Sequence, residues 1–192
     1  YEPSTQLFHR LPHNPNSSNS VSHNNVSSIV QDNVGDVWIG TWGGGVSRLA
    51  KRKQKFAPIS SKTSAALPND FVLSMLTDQS GTLWVGTANG ASRSDGARPV
   101  RQLLPGAAVS ALMEDSDSTI WAAAGDDGIK VFRPDGKLLK EFAHSRSPDL
   151  SGSSLADNTV RALFRDSRGI IWVGTQTHGV NSYDRTIPIG RD

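Results

Sequence analysis

Four of the five tryptophans in this chain stand at one phase of a recurring sixteen-residue pattern. The first copy reads Val26-Ser-Ser-Ile-Val-Gln-Asp32-Asn-Val-Gly35-Asp-Val-Trp38-Ile-Gly40-Thr41. The second runs from Val72 through Asp78, Gly81, Trp84 and Gly86 to Thr87, and the fourth from Val160 through Asp166, Gly169, Trp172 and Gly174 to Thr175. The third is degenerate: Val109, Asp115 and Trp121 keep their places, but Ser118 replaces the glycine and Ala122-Ala-Ala124 the apolar-Gly-Thr run. Successive tryptophans are 46, 37 and 51 residues apart, so a constant unit is joined by variable linkers. Such spacings belong to propeller blades or to helical pairs.

Local chemistry separates these two options. Each unit opens with a short β-branched or apolar run ending at Asp, and Asp-x-x-Gly marks a tight turn between strands. The next run, such as Leu83-Trp84-Val85, is apolar on successive residues, so both of its faces need covering. A sheet stacked between two similar sheets meets that demand. The small residue recurring at Ser28, Ser74, Ala111 and Ala162 suits strands crowded near a ring axis. A third strand follows a glycine at 45–49, 90–94, 128–132 and 179–183, and an edge-like fourth spans 55–59, 100–104 and 138–142. Pro58 and interspersed charges suit that edge, where free backbone donors invite aggregation. No stretch sustains a helical period.

Four strands per unit predict an all-β fold, a β-propeller of four-stranded antiparallel blades. One segment, 1–192, would carry blades at about 21–59, 67–104, 108–142 and 155–183. Residues 1–11 are expected to hold an outer strand, at Leu7–Leu11, of a preceding or ring-closing blade. Four blades are at the lower limit for a closed ring. A larger ring is therefore expected, and a homo-oligomer of two copies that completes eight blades stays open. Tyr1 opens without a charged, then apolar, leader, which is expected of a segment of something longer.

Composition excludes several functions. The formal charge is +2, and the one basic cluster, Lys51, Arg52, Lys53 and Lys55, reads as a solvated hairpin, so nucleic acid is not an expected partner. With no cysteine and no paired spacing among His9, His13, His23, His144 and His178, neither a metal site nor a cofactor is expected. Asp32, Asp78, Asp115 and Asp166 recur at one phase in every copy, which points to turn capping rather than catalysis. The pattern invites comparison with the Asp-box of sialidases, but the Asp-to-Trp spacing is one residue longer. No carboxyl pair stands out for glycoside hydrolysis. No catalytic residue is assigned.

The unit V-x-[SA]-Φ-Φ-x-D-x-x-G-x-Φ-W-[VI]-G-T, with Leu155-Ala-Asp-Asn-Thr-Val160 as linker, resembles the two-component regulator propeller repeat. The resemblance implies the periplasmic sensor region of a receptor, linked through a membrane span to a histidine kinase or GGDEF-type diguanylate cyclase. Asp32, Trp38, Gly40, Asp78, Trp84, Gly86, Asp115, Trp121, Asp166, Trp172 and Gly174 are then structural. Function on a repeat scaffold should sit where loops break the repeat. Those loops offer Trp42, Asn89, Asp126, Asp127, Gln176 and His178 as contacts for a small-molecule or saccharide ligand. Trp42, the one tryptophan out of phase, reads either as a platform for a sugar or as packing on a neighbouring blade. A structural or protein-binding propeller is the alternative role.

Overall fold

The computed structural model describes residues 3–53, 55–94, 99–144 and 154–185. Fifteen strands build four antiparallel sheets, each in simple chain order. Blade 1 comprises β1 (Val26–Gln31), β2 (Val37–Thr41), β3 (Val46–Ala50) and β4 (Lys55–Ile59). Blade 2 comprises β5 (Val72–Thr77), β6 (Leu83–Thr87), β7 (Gly90–Ser94) and β8 (Pro99–Leu103). Blade 3 holds β9 (Val109–Glu114), β10 (Ile120–Ala124), β11 (Ile129–Phe132) and β12 (Leu138–Phe142). Blade 4 holds β13 (Val160–Arg165), β14 (Ile171–Thr175) and β15 (Val180–Tyr183), with no fourth strand among the described residues. The fold is a β-propeller, with β1, β5, β9 and β13 side by side as the innermost strands. The one helical turn among the described residues is a 3-10 turn at Gly125–Asp127.

The Asp-x-x-Gly turns explain the repeat's fixed positions. In blade 1 the Asp32 carboxylate accepts hydrogen bonds from the backbone N–H groups of Val34 (3.1 Å) and Asp36 (2.9 Å) through Oδ1. Its Oδ2 accepts the indole N–H of Trp38 at 2.9 Å. Asp78 does the same for Trp84 (2.8 Å), and Asp166 for Trp172 (3.1 Å). The pairing gives an otherwise buried indole N–H its partner, which a core tryptophan needs. Gly35, Gly81 and Gly169 sit at φ 84–87°, and Ser118 takes the same left-handed position at φ 61°. Blade 3 also rewires its carboxylate. Trp121 donates to Thr119 Oγ1 (3.3 Å), and Asp115 turns instead to Arg165 (3.2 Å) and Arg185 of blade 4.

Blades join by fitting one residue into a gap. At Gly40 a Cβ would stand 2.6 Å from Val72 Cγ1, and at Gly86 2.5 Å from the Val109 carbonyl oxygen and 2.8 Å from its Cγ1. The opening valine of each blade thus sits on the glycine of the blade before. In the degenerate copy, fully buried Ala123 takes the glycine's place and shares one cluster with Val160. Around these contacts Trp38, Val46, Leu67, Met75 and Leu83 form the first joint. Trp84, Ala91, Leu103, Ile120 and Phe132 form the second, and Trp121, Ile129, Phe142, Leu155 and Ile171 the third.

Two expectations change here. Trp38, Trp84 and Trp121 are 0–3% exposed, but Trp172 is 36% exposed, because no described residue stacks on the outer side of blade 4. The segment Leu7–Leu11 is assigned no strand: Leu7 makes an isolated bridge and residues 8–11 carry no regular structure. Of the linker expected at Ser145 to Ser154, residues 145–153 lie outside the described residues.

Candidate functional site

In blades 1, 2 and 4 the loop between the second and third strands is tied to the linker entering the blade, so loops and linkers share one face. Trp42 N–H donates to the Asn25 carbonyl (2.9 Å), Ala88 N–H to Phe71 (2.9 Å) and Gln176 N–H to Thr159 (2.8 Å). Trp42, Ala88, Gly125 and Gln176 are consequently equivalent positions, the first after each blade's second strand, and all four differ. Ala88 and Gly125 are small. The linker before blade 3, Pro105-Gly106-Ala107-Ala108, is short and lacks the leucine found at Leu67 and Leu155.

The result is a concave site of about 580 Å³ spanning blades 2 to 4. Leu73, Pro105, Ala107 and Ala108 give it an apolar side, while Ser110, Thr159 and Arg161 line it from the inner strands and linker. Asp126 and Asp127 stand on its rim in the 3-10 turn, both exposed. Blade 3 again departs from its neighbours. Thr41, Thr87 and Thr175 tether their loops by donating to the carbonyls of Gly45 (2.9 Å), Gly90 (2.7 Å) and Gly179 (2.8 Å). Ala124 has no hydroxyl to do so, and its loop is the one that turns into the site.

Polar groups are linked along the rim. Thr159 Oγ1 donates to Asp126 Oδ1 at 3.3 Å, and the Arg161 guanidinium donates to Gln176 Oε1. Asp157 accepts from Thr177 Oγ1 and lies 3.5 Å from His178 Nδ1. The Thr177 hydroxyl first, then the Thr159 backbone N–H and His178, hold the Asp157 carboxyl at about 2 against the usual 3.8. A guanidinium, two carboxylates and hydroxyls beside a methyl-rich wall can hydrogen-bond the edge of a ligand while covering its apolar surface.

Of the residues singled out from sequence, Asp126 and Asp127 line this site and Gln176 touches it through Arg161. His178 stands beyond Asp157, and Asn89 points from blade 2 without lining the cavity. Trp42 is 52% exposed, so it is not buried on a neighbouring blade. Its backbone bridges to Phe71, also 52% exposed, so two exposed aromatic residues stand on the face near blades 1 and 2. Arg161, Ser110 and Leu73 were missed. They occupy one repeat position, next to the opening valine, where Ser27, Leu73, Ser110 and Arg161 all differ. That variability was the available signal. Among the described residues no three His, Asp or Glu side chains gather as metal ligands.

Comparison with known proteins fits this architecture. The two component regulator propeller profile matches residues 20–43, 66–89 and 154–177, skipping degenerate blade 3. No curated protein matches. Among solved structures, the extracellular domain described as that of a hybrid two component system, BT4673 of B. thetaiotaomicron, superposes with a TM-score of 0.66 at 26% identity, over 86% of this chain and 22% of that one. The chain therefore spans about a fifth of that relative's length. An ancestral GH74 enzyme (TM-score 0.63, 17% identity, 86% of this chain and 23% of that one) shares the fold. So does virginiamycin B lyase of Staphylococcus aureus (0.55, 15%, 85% and 56%). Three stretches of this chain thus match the two component regulator propeller profile, and its fold is similar to the extracellular domain of a hybrid two component system.

Proposed function

We propose that this propeller is an extracytoplasmic, periplasmic sensor domain that binds a small saccharide-like ligand in the cavity of blades 2 to 4. The event would pass to a membrane-linked output, a histidine kinase or a diguanylate cyclase. The observation that carries this reading is where the cavity lies. It opens where the repeat breaks, at the short linker, the untethered blade 3 loop and Arg161. A non-enzymatic role is supported by the likeness to the extracellular domain of a hybrid two component system. The lyase and glycosidase relatives share only the fold at this level of identity. A saccharide suits the mixture of hydroxyl-binding groups and apolar wall, with exposed Trp42 and Phe71 as neighbouring aromatic surface for a longer chain.

Calorimetric titration with neutral and acidic oligosaccharides tests the reading. Arg161→Ala should weaken binding at least about tenfold, since a hydrogen bond to a charged group contributes about 1.5–3 kcal/mol. The melting temperature should be unchanged, because Arg161 is exposed. Equal affinities in the two proteins would reject this cavity as the site. A structural or protein-binding propeller is the second reading.

A further inference from the structure

The repeat breaks a second time on the opposite face, and there it concentrates charge. The Asp-x-x-Gly turns and the turns between third and fourth strands lie at the end of each blade away from the cavity, because successive strands are antiparallel. In blade 1 that end carries Lys51, Arg52, Lys53 and Lys55, all exposed, within a chain whose net charge is only +2. Among the described residues, none of these four side chains pairs with a carboxylate. Both carboxylates of blade 1 are engaged elsewhere. Asp32 is taken by its own turn and by Trp38. Asp36, 7% exposed, accepts Arg48 Nε at 2.7 Å through Oδ2 and the Lys51 backbone N–H at 2.9 Å through Oδ1.

Asp36 belongs to this blade alone, since Thr82, Thr119 and Ile170 hold its position in the others. It clasps the basic hairpin to the Asp32–Gly35 turn. The Lys51 stem lies across that turn: a Cβ at Gly35 would stand 2.8 Å from Lys51 Cδ. Next to Gly35, Val34 is 70% exposed, where the other blades carry the polar residues Ser80, Asp117 and Arg168. Ser80 and Asp117 are exposed too, although blades 2 and 3 are flanked on both sides. Arg133 and Lys137, in the third-to-fourth turn of blade 3, are also exposed. Exposure therefore belongs to these turn positions and not to the place of blade 1 in the arc.

We propose that this end of blade 1 is a docking surface for an anionic lipid membrane, with Lys51, Arg52, Lys53 and Lys55 on the headgroup phosphates and Val34 at the acyl boundary. Charge complementarity selects an anionic partner, each Lys or Arg near such a surface strengthening binding about fivefold. The apolar tip selects a lipid surface over an acidic peptide, because apolar side chains among cations enter the boundary between headgroups and acyl chains. Long lysine and arginine stems let the charges stay at the headgroups while the valine goes deeper. A molecule docked in this way opens its cavity away from the membrane. The inference is independent of the ligand reading above, since cavity and basic hairpin lie at opposite ends of the blades.

Co-sedimentation of the full chain with vesicles tests it, one set of phosphatidylcholine and one of phosphatidylcholine with an equal part of phosphatidylglycerol. Wild type should bind the mixed vesicles at least about tenfold better than phosphatidylcholine alone, and release them as salt is raised. The triple variant Lys51→Gln, Arg52→Gln, Lys53→Gln should partition about a hundredfold less. Val34→Ser, which gives this turn the residue found at Ser80, should partition at least about threefold less. Far-ultraviolet circular dichroism should be unchanged in each, because all four sites are exposed. Arg161→Ala should bind the vesicles like wild type. Wild type without preference for the mixed vesicles, or a triple variant that partitions like wild type, would overturn the proposal. Unchanged binding by Val34→Ser would overturn it as well and identify an acidic macromolecule as the partner.

Discussion

At the residue scale, the same tryptophan does different work at different places in the arc. Trp38 is fully enclosed by blade 2, while Trp172 keeps its Asp166 partner but leaves a third of its surface uncovered. Trp38→Ala should therefore cost about 3–5 kcal/mol, as large core deletions do. Trp172→Ala should cost clearly less, since less surface leaves water. Urea unfolding of the two variants measures the gap, and equal losses would mean that blade 4 is as covered as blade 1. The indole positions were legible in the sequence because four copies share one phase, and a residue repeated in every blade is answering a demand every blade makes. Arg161 was not legible in the same way. Its role depends on Ala88, Gly125 and the short Pro105–Ala108 linker leaving room beside it, and small residues in three separate segments carry no signal until the ring brings them together. Trp42 was legible as the one tryptophan out of phase, and it stands exposed on the same face, outside the cavity.

At the scale of elements, the degenerate third copy exchanges a local bond for one between blades. Asp115, freed from its tryptophan, pairs with Arg165 and Arg185 of blade 4, and Arg185 also bonds Asp117 at 2.8 Å. Burial alone would raise the Asp117 carboxyl. The hydrogen bonds from Arg185 and Thr119, with the guanidinium charge, outweigh it and bring the carboxyl to about 2 from 3.8. A folded-state value below the unfolded one means that the charged form stabilises the fold above pH of about 4, and that this contribution disappears as pH falls through about 2. Asp117→Asn should thus melt lower than wild type near neutral pH, and its melting temperature should fall less between pH of about 4 and 2. Parallel wild-type and variant profiles would remove Asp117 from the joint. The effect should shrink in high salt, because the Asp117 side chain is 46% exposed. In the sequence, Ser118 and the triple alanine marked this blade as irregular. The compensation was hidden, because Arg185 lies 68 residues from Asp117 and only the blade stack brings them together.

At the scale of the whole molecule, a propeller arc behaves as a one-dimensional stack, each blade stabilised by its own strands and by the neighbours it touches. Blades 2 and 3 have a neighbour on both sides, and β6 and β10 are buried along their whole length. Blades 1 and 4 have a neighbour on one side, and β1 and β13 carry exposed apolar residues at Ile29 and Phe164. Opening should therefore begin at the ends and move inward, so that local stability rises from β15 and β1 toward β6 and β10. Native-state amide hydrogen exchange reads this order directly. In dilute monomer, the β13–β15 and β1 amides should exchange fastest and the β6 and β10 amides slowest. Uniform protection across all four blades in dilute monomer would mean that the arc unfolds as one unit and that the joints, rather than the blades, carry its cooperativity.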